Sequence, residues 1–264
     1  MKYIVIKIFN SDNHYLLKLQ YLKYNDINRL IYGEIVRDFT SLKEVQMFLS
    51  NYTYNNDYKN APFLINYISN DVIIENIKIE KNKPNINKIK QQINEFYPNF
   101  ETNYQFYLMN YSLSNQRKFI SVKLYQKAIS KMLNEVFNNL NRRKVYYNLD
   151  SIMLDNYISR IKFNNLSKHV VFIQIENGFW RFSEIINNRL IKYLLIDQSD
   201  IYFEKELNMI FHNLDRRIDE IIVDSDYKTY TKLCDDWSSY NVLYIDYVDK
   251  LRYLDERKLV YASK

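Results

Sequence analysis

Glycine is nearly absent: only Gly33 and Gly178 occur in 264 residues, where an average chain carries about 7%. Loops that wrap phosphates need backbone with no side chain in the way. Neither GxGxxG nor GxxxxGK[ST] can be written from this chain, which excludes a P-loop ATPase and a dinucleotide-binding Rossmann enzyme. The single cysteine, Cys234, excludes a disulfide framework and any multi-cysteine zinc site. The three histidines, His14, His169 and His212, are far apart and show no HxxxH or HExxH spacing. Each therefore reads as a structural histidine, and no metal is expected. No stretch of about 18 apolar residues suggests a membrane span. The opening Met1-Lys2-Tyr3-Ile4-Val5-Ile6 has no long apolar core and no small-residue cleavage site, so a cytoplasmic setting is expected.

What is present is apolar and aromatic. Hydrophobic residues make up 47%, with 26 tyrosines, enough for a packed core rather than a disordered chain. The net charge of +6 permits contact with nucleic acid or anionic lipid without requiring it.

Strand-like runs at 2–9, 15–21 and 30–36 precede a helix at 41–49, where Leu42, Val45, Phe48 and Leu49 follow a Thr40/Ser41 cap. After a polar loop at 51–60, strands resume at 62–68 and 71–79. Ile86, Ile89, Ile93 and Phe96 form a helical stripe that stops at Pro98. Strands at 104–111 and 118–122 lead to a second stripe, Ile129, Met132, Leu133, Val136, Phe137 and Leu140, the face of a buried helix. From 169 the opening pattern recurs. Strands at 169–175, 179–186 and 189–197 are separated by Asn177-Gly178 and Asn187-Asn188 turns. A helix carrying Leu207, Ile210, Phe211, Leu214 and Ile218 follows, then a strand at 220–223, a helix at 229–237 and a strand at 242–247. Two halves that open alike suggest a structural duplication.

Other chemistry finds little support. The pairs Asp235-Asp236, Asp219-Glu220 and Asp246/Asp249 are neighbours in sequence, which does not make carboxyls converge in a cleft. Ser121 and Ser183 lack a GxSxG context. Cys234, near Asp235 and Trp237, has no histidine close by and reads as structural. The clusters Arg142-Arg143-Lys144 and Arg216-Arg217, with abundant tyrosine, keep open an alternative. That alternative is a nucleic-acid-binding or other interaction protein from an AT-rich virus or phage. Acidic residues interleave the clusters, so a solvated face is favoured over a nucleic-acid site.

Several strings, taken in order, resemble a known family. Asp71-Val72-Ile73-Ile74-Glu75-Asn76-Ile77-Lys78-Ile79, Gln91-Gln92-Ile93-Asn94-Glu95-Phe96-Tyr97-Pro98, Phe119-Ile120-Ser121-Val122 and Tyr146-Tyr147-Asn148-Leu149-Asp150-Ser151-Ile152-Met153-Leu154 are similar to the inserted subdomain and its return to the core in PilM. PilM is the actin-like protein of type IV pilus machines, and the same pattern resembles the cytoplasmic part of GspL in type II secretion. The resemblance implies an α/β, actin-like (ribonuclease H-like) duplicated core with an inserted small α+β subdomain. Residues 1–70 would be the first half of the core, 71–145 the insert and 146–264 the second half.

The same resemblance locates the nucleotide loops, and all are altered. Val170 to Phe179 stands at the second-half phosphate hairpin, where Gln174 replaces the family's aspartate and Glu176 its glycine, just before Asn177-Gly178. Glu176 would set a negative charge against a negative ligand. Asp224, Ser225 and Asp226 stand where an adenosine-contacting glycine pair is expected, and Lys7, Phe9 and Asn10 replace the first hairpin's Asp and Gly positions. No cofactor and no catalysis are therefore expected. The implied role is a non-catalytic scaffold at the inner face of a cytoplasmic membrane. It would bind the cytoplasmic tail of a bitopic, PilN-like inner-membrane protein in a groove between core and insert, and link it to a pilus or secretion motor ATPase.

Overall fold

In a computed structural model the chain is described at residues 2–11, 14–24, 29–54, 56–79, 85–112, 118–140, 144–152, 154, 169–213, 218–236 and 242–244. The first half runs β1 (Lys2–Ser11), β2 (His14–Tyr24), β3 (Arg29–Phe39), α1 (Leu42–Asn51) and β4 (Phe63–Ile68). An insert follows as β5 (Val72–Ile79), α2 (Ile86–Phe96), the short α3 (Phe100–Asn103), β6 (Tyr104–Ser112) and β7 (Lys118–Gln126). Helix α4 (Lys127–Asn138) then leads to β8 (Val145–Leu149). The second half is β9 (His169–Glu176), β10 (Phe179–Ile186), β11 (Arg189–Asp197), α5 (Phe203–Asn213), β12 (Glu220–Asp224), α6 (Tyr227–Asp236) and β13 (Val242–Tyr244).

The two halves build the same sheet. Its order is β3-β2-β1-β4-β8 in one and β11-β10-β9-β12-β13 in the other. In each, a three-stranded antiparallel meander is followed by two strands parallel to the first. This repeated five-stranded arrangement is the actin-like, ribonuclease H-like fold, and the class is α/β. The central strands are apolar on both faces because both are covered, as a mixed α/β sheet demands. In β4 every residue from Phe63 to Ile68 is buried, and in β9 the run from His169 to Gln174 is buried.

The chain divides into two compact units, each holding one of these sheets; the insert's sheet, β5-β7-β6, belongs with the second. There the insert covers an edge. Asn70 donates from Nδ2 to the Leu195 carbonyl at 2.7 Å and accepts the Leu195 N–H at Oδ1 at 2.6 Å, while Asn76 Nδ2 donates to the Ile191 carbonyl at 3.0 Å. These amides satisfy backbone groups of β11 that an uncovered edge strand would leave unpaired. Phe119 of β7 packs on Ile186 and Ile191 beside them.

Two helical stripes differ from expectation in burial. On α2, Ile89 and Ile93 pack against Ile120, Val122 and Leu124, but Ile86 is exposed and Phe96 is 75% exposed. Both lie in terminal turns, and a sheet only three strands wide offers apolar surface to the middle turns. On α4, Leu133 and Phe137 are buried, Ile129, Met132 and Val136 are half-buried, and Leu140 is buried just beyond the helix end. The expected polar loop at 51–60 begins later, since Asn51 ends α1, and contains a short 3-10 turn at Asn56–Tyr58.

Candidate functional site

The nominated residues of the second half lie at the ends of three adjacent strands. Strands β9 and β10 close with Glu176 opposite Phe179, leaving Asn177 (φ 52°) and Gly178 (φ 81°) as a two-residue turn. Positive φ at both positions is what the tight hairpin turn matching strand twist requires. Asn187 and Asn188, at φ 50° and 58°, make the next turn in the same way.

Register decides which side chains meet. Gln174 faces Arg181 on β10 and Asp224 on β12, and facing residues project from the same side of a sheet. Gln174 Nε2 donates to Asp224 Oδ2 at 3.2 Å, and an Arg181 guanidinium nitrogen lies 3.6 Å from Glu176 Oε2. Gln174, Arg181 and Asp224 are all buried. Two carboxylates, an amide and a guanidinium therefore close upon one another where the hairpin was expected to present itself to a ligand.

Arg181 was not nominated from the sequence. Its signal was there: a charged residue inside Phe179-Trp180-Arg181-Phe182-Ser183, on the same alternation as buried Phe179 and Ser183. The other face carries Trp180 and Phe182 into the apolar core.

The last residues of the Asp224-Ser225-Asp226 string serve the backbone. Ser225 Oγ donates to the Asp226 carbonyl at 2.9 Å. Asp226 caps α6, accepting the Thr229 N–H at 3.0 Å and the Thr229 hydroxyl at 2.7 Å. Those hydrogen bonds, the side-chain one foremost, hold the Asp226 carboxyl below the usual aspartate range. A depressed carboxylate contributes stability that is complete above the ordinary aspartate value and lost as pH falls through the folded one. Asp226→Ala is expected to cost about 1 kcal/mol at neutral pH. In thermal melts the gap between wild type and Asp226→Asn should narrow as the pH is taken from 7 to below 3. An unchanging gap would show that the charge is not what caps the helix.

The first unit carries the same node in different chemistry. Ser11 faces His14 at the end of β1–β2, as Glu176 faces Phe179 at the end of β9–β10. Counted from those closing pairs, Phe9 stands where Gln174 does, Leu16 where Arg181 does and Ile68 where Asp224 does. All three are buried. Lys7 faces Lys18 and Asn66. Lys18 reaches Glu34 at 3.1 Å, Asn66 donates to Asp150 at 2.6 Å, and Asn10 donates to the Tyr67 hydroxyl at 2.8 Å.

The two histidines whose side chains are described are engaged locally. His169 Nε2 lies 2.7 Å from Glu184 Oε1, and His14 Nε2 lies 3.1 Å from Asp38 Oδ1. Asp219 accepts the His169 N–H at 2.7 Å, which fixes the start of β9. Among the described residues no group of His, Cys, Asp and Glu is placed to hold a metal ion, and no helix is long and apolar enough to cross a membrane. The side chains of His212 and Asp236, together with residues 142–143, 216–217, 237, 246 and 249, lie outside the described set.

No protein-family model matches the chain, and no curated protein matches it. Solved structures do. The cytoplasmic domain of EpsL, an inner-membrane component of the Vibrio cholerae type II secretion system, superposes with a TM-score of 0.53 at 8% identity, covering 100% of this chain and 96% of that one. A PilM–PilN type IV pilus biogenesis complex gives 0.51 at 10% identity, covering 98% of each chain. An Aquifex aeolicus PPX-GPPA enzyme is matched less well, at 0.36 and 11% identity over 91% of this chain and 74% of that one. At these identities the first two likenesses are likenesses of fold, the fold that the repeated sheet order already displays.

Proposed function

We propose that the chain is a non-catalytic scaffold of a type IV pilus or type II secretion-like machine. It works at the inner face of the cytoplasmic membrane and holds the cytoplasmic tail of a bitopic, PilN-like membrane protein. The observation that carries this reading is the closed cluster of Gln174, Arg181, Glu176 and Asp224 at the second hairpin. A phosphate brought to that corner would meet the carboxylates of Glu176 and Asp224, which repel it. The fold likeness to EpsL and to PilM in its complex with PilN supports the choice of machine. Binding of a motor ATPase belongs to the same proposal.

Thermal melts with and without millimolar Mg-ATP test the nucleotide side of this reading. A ligand that binds only the folded state raises its stability by RT ln(1 + [L]/Kd), about 2.7 kcal/mol at a hundredfold excess over Kd. The expected result is no shift, with a bitopic membrane protein recovered by affinity purification from detergent-solubilised membranes. A nucleotide-dependent rise in melting temperature would instead make the protein a nucleotide-responsive switch.

A further inference from the structure

The two sheets differ at one edge. Strand β11 is covered by Asn70 and Asn76, but its counterpart β3 pairs, among the described residues, with β2 alone. It is 11 residues long, and Ile31, Tyr32 and Val36 are exposed at 52%, 57% and 43%. A strand of this length with apolar side chains in solvent is a template for another strand. Along its C-terminal half, an open groove of about 420 Å³ is lined by Arg37, Met47, Phe48, Asn51, Tyr52 and Thr53. The floor is aromatic, with Phe39 to Phe48 at 5.4 Å and Phe48 to Tyr52 at 5.1 Å between ring centroids. The Arg37 guanidinium lies 4.9 Å from the Phe48 centroid and makes no ion pair among the described residues.

We infer that β3 takes an extended segment of a partner protein as an added strand. An acidic side chain of the segment meets Arg37, and an apolar side chain two residues away enters the groove beside Met47 and Phe48. Main-chain hydrogen bonds along the edge supply affinity and the groove supplies register.

A second copy of this chain fits less well. Antiparallel pairing of β3 with itself about a two-fold axis must place one residue opposite its own copy. Centred on Gly33 it sets Arg29 against Arg37, and centred on Glu34 it sets that glutamate against itself. Centred on Val36 it sets Glu34 against Asp38, and centred on Arg37 it sets that arginine against itself; centred on Tyr32 or Ile35 it opposes no like charges within the strand, but Arg37 then meets no carboxylate. Like charges directly opposite are destabilising. A segment with a carboxylate opposite Arg37 reverses that sign. The inference stands on the edge and groove alone and does not depend on which machine the scaffold serves.

The test pans a random 12-residue peptide display library against the full chain. Enriched peptides should carry Asp or Glu two positions from an apolar residue and should slow hydrogen exchange of amides at 29–39. Arg37→Glu should weaken them about tenfold or more, the scale of a lost charge-assisted contact. Arg37→Lys, which keeps the charge, should hold affinity within about threefold by the same scale and guards against misfolding of the reversal. No enrichment, undiminished binding to Arg37→Glu, or exchange protection elsewhere would overturn the inference. So would sedimentation showing a dimer that Val36→Lys dissociates.

Discussion

Arg181→Ala is expected to destabilise the second unit by about 3 kcal/mol, read by urea denaturation followed by circular dichroism. The guanidinium is buried between the ends of β9, β10 and β12, and its removal leaves the Glu176 carboxylate without the cation 3.6 Å away. Most of that cost is the desolvation of the charge left behind rather than the worth of the pair. The first unit supplies the control. Grafting its residues at the equivalent positions gives Gln174→Phe, Arg181→Leu and Asp224→Ile, with Glu176→Ser taken from Ser11. Replacing a buried ionic cluster with apolar groups of suitable volume is often neutral or stabilising by about 1–4 kcal/mol. The grafted variant should therefore stand at or above wild type. If it is as unstable as Arg181→Ala, the polar cluster is needed for the shape of this corner and not merely tolerated.

At the matching node of the first unit the expected loss has a different origin. Phe9 is fully buried, packed where Leu16 and Ile68 flank it in register. Phe9→Ala removes a ring and leaves a cavity, at about 3–5 kcal/mol. Phe9→Gln, which imitates the second half, should do no better, because no partner equivalent to Asp224 stands at Ile68 and the amide is buried unsatisfied. Phe9→Gln with Ile68→Asp should recover part of the loss if a side-chain pair can form there as it does between Gln174 and Asp224. Absence of any recovery would show that the two nodes, though matched in register, are not matched in space.

Much of this architecture is legible in the order of residues. The apolar runs from Phe179 to Ile186 and from Arg189 to Asp197, bounded by Asn-Gly and Asn-Asn, give both strands their observed limits. Local chemistry alone specifies such turns. The recurrence of strand, turn, strand, turn, strand and helix likewise anticipates the duplicated sheet. What register decides is harder to see. Gln174 and Asp224 are 50 positions apart and meet only because β12 lies parallel to β9 in one particular alignment. Arg181 sits on the same alternation as buried Phe179 and Ser183, yet that period does not name Glu176 as its partner. Asp226 looks like a third carboxylate of a cluster, yet its role is set by the helix that begins after it. The stripe from Ile86 to Phe96 has a perfect helical period, but period says nothing of how far the opposing sheet extends.

The insert also imposes an order in time. Strand β8 pairs with β4 as Phe63 with Val145, so the first sheet lacks its last strand until the whole insert has been synthesised. At roughly 5–20 residues per second on the ribosome that interval is about 4–16 s. During it β4 offers an unpaired edge to whatever strand is near. Contacts so distant in sequence form slowly in any case. The β6–β7 hairpin of the insert, whose pairings are local, should fold first, and β5, by then pairing with β7 across the intervening helices and β6, shortens the search by holding the ends of the segment. A nascent chain stalled just before residue 145 is therefore the species most exposed to mispairing, and the one for which a chaperone would matter most.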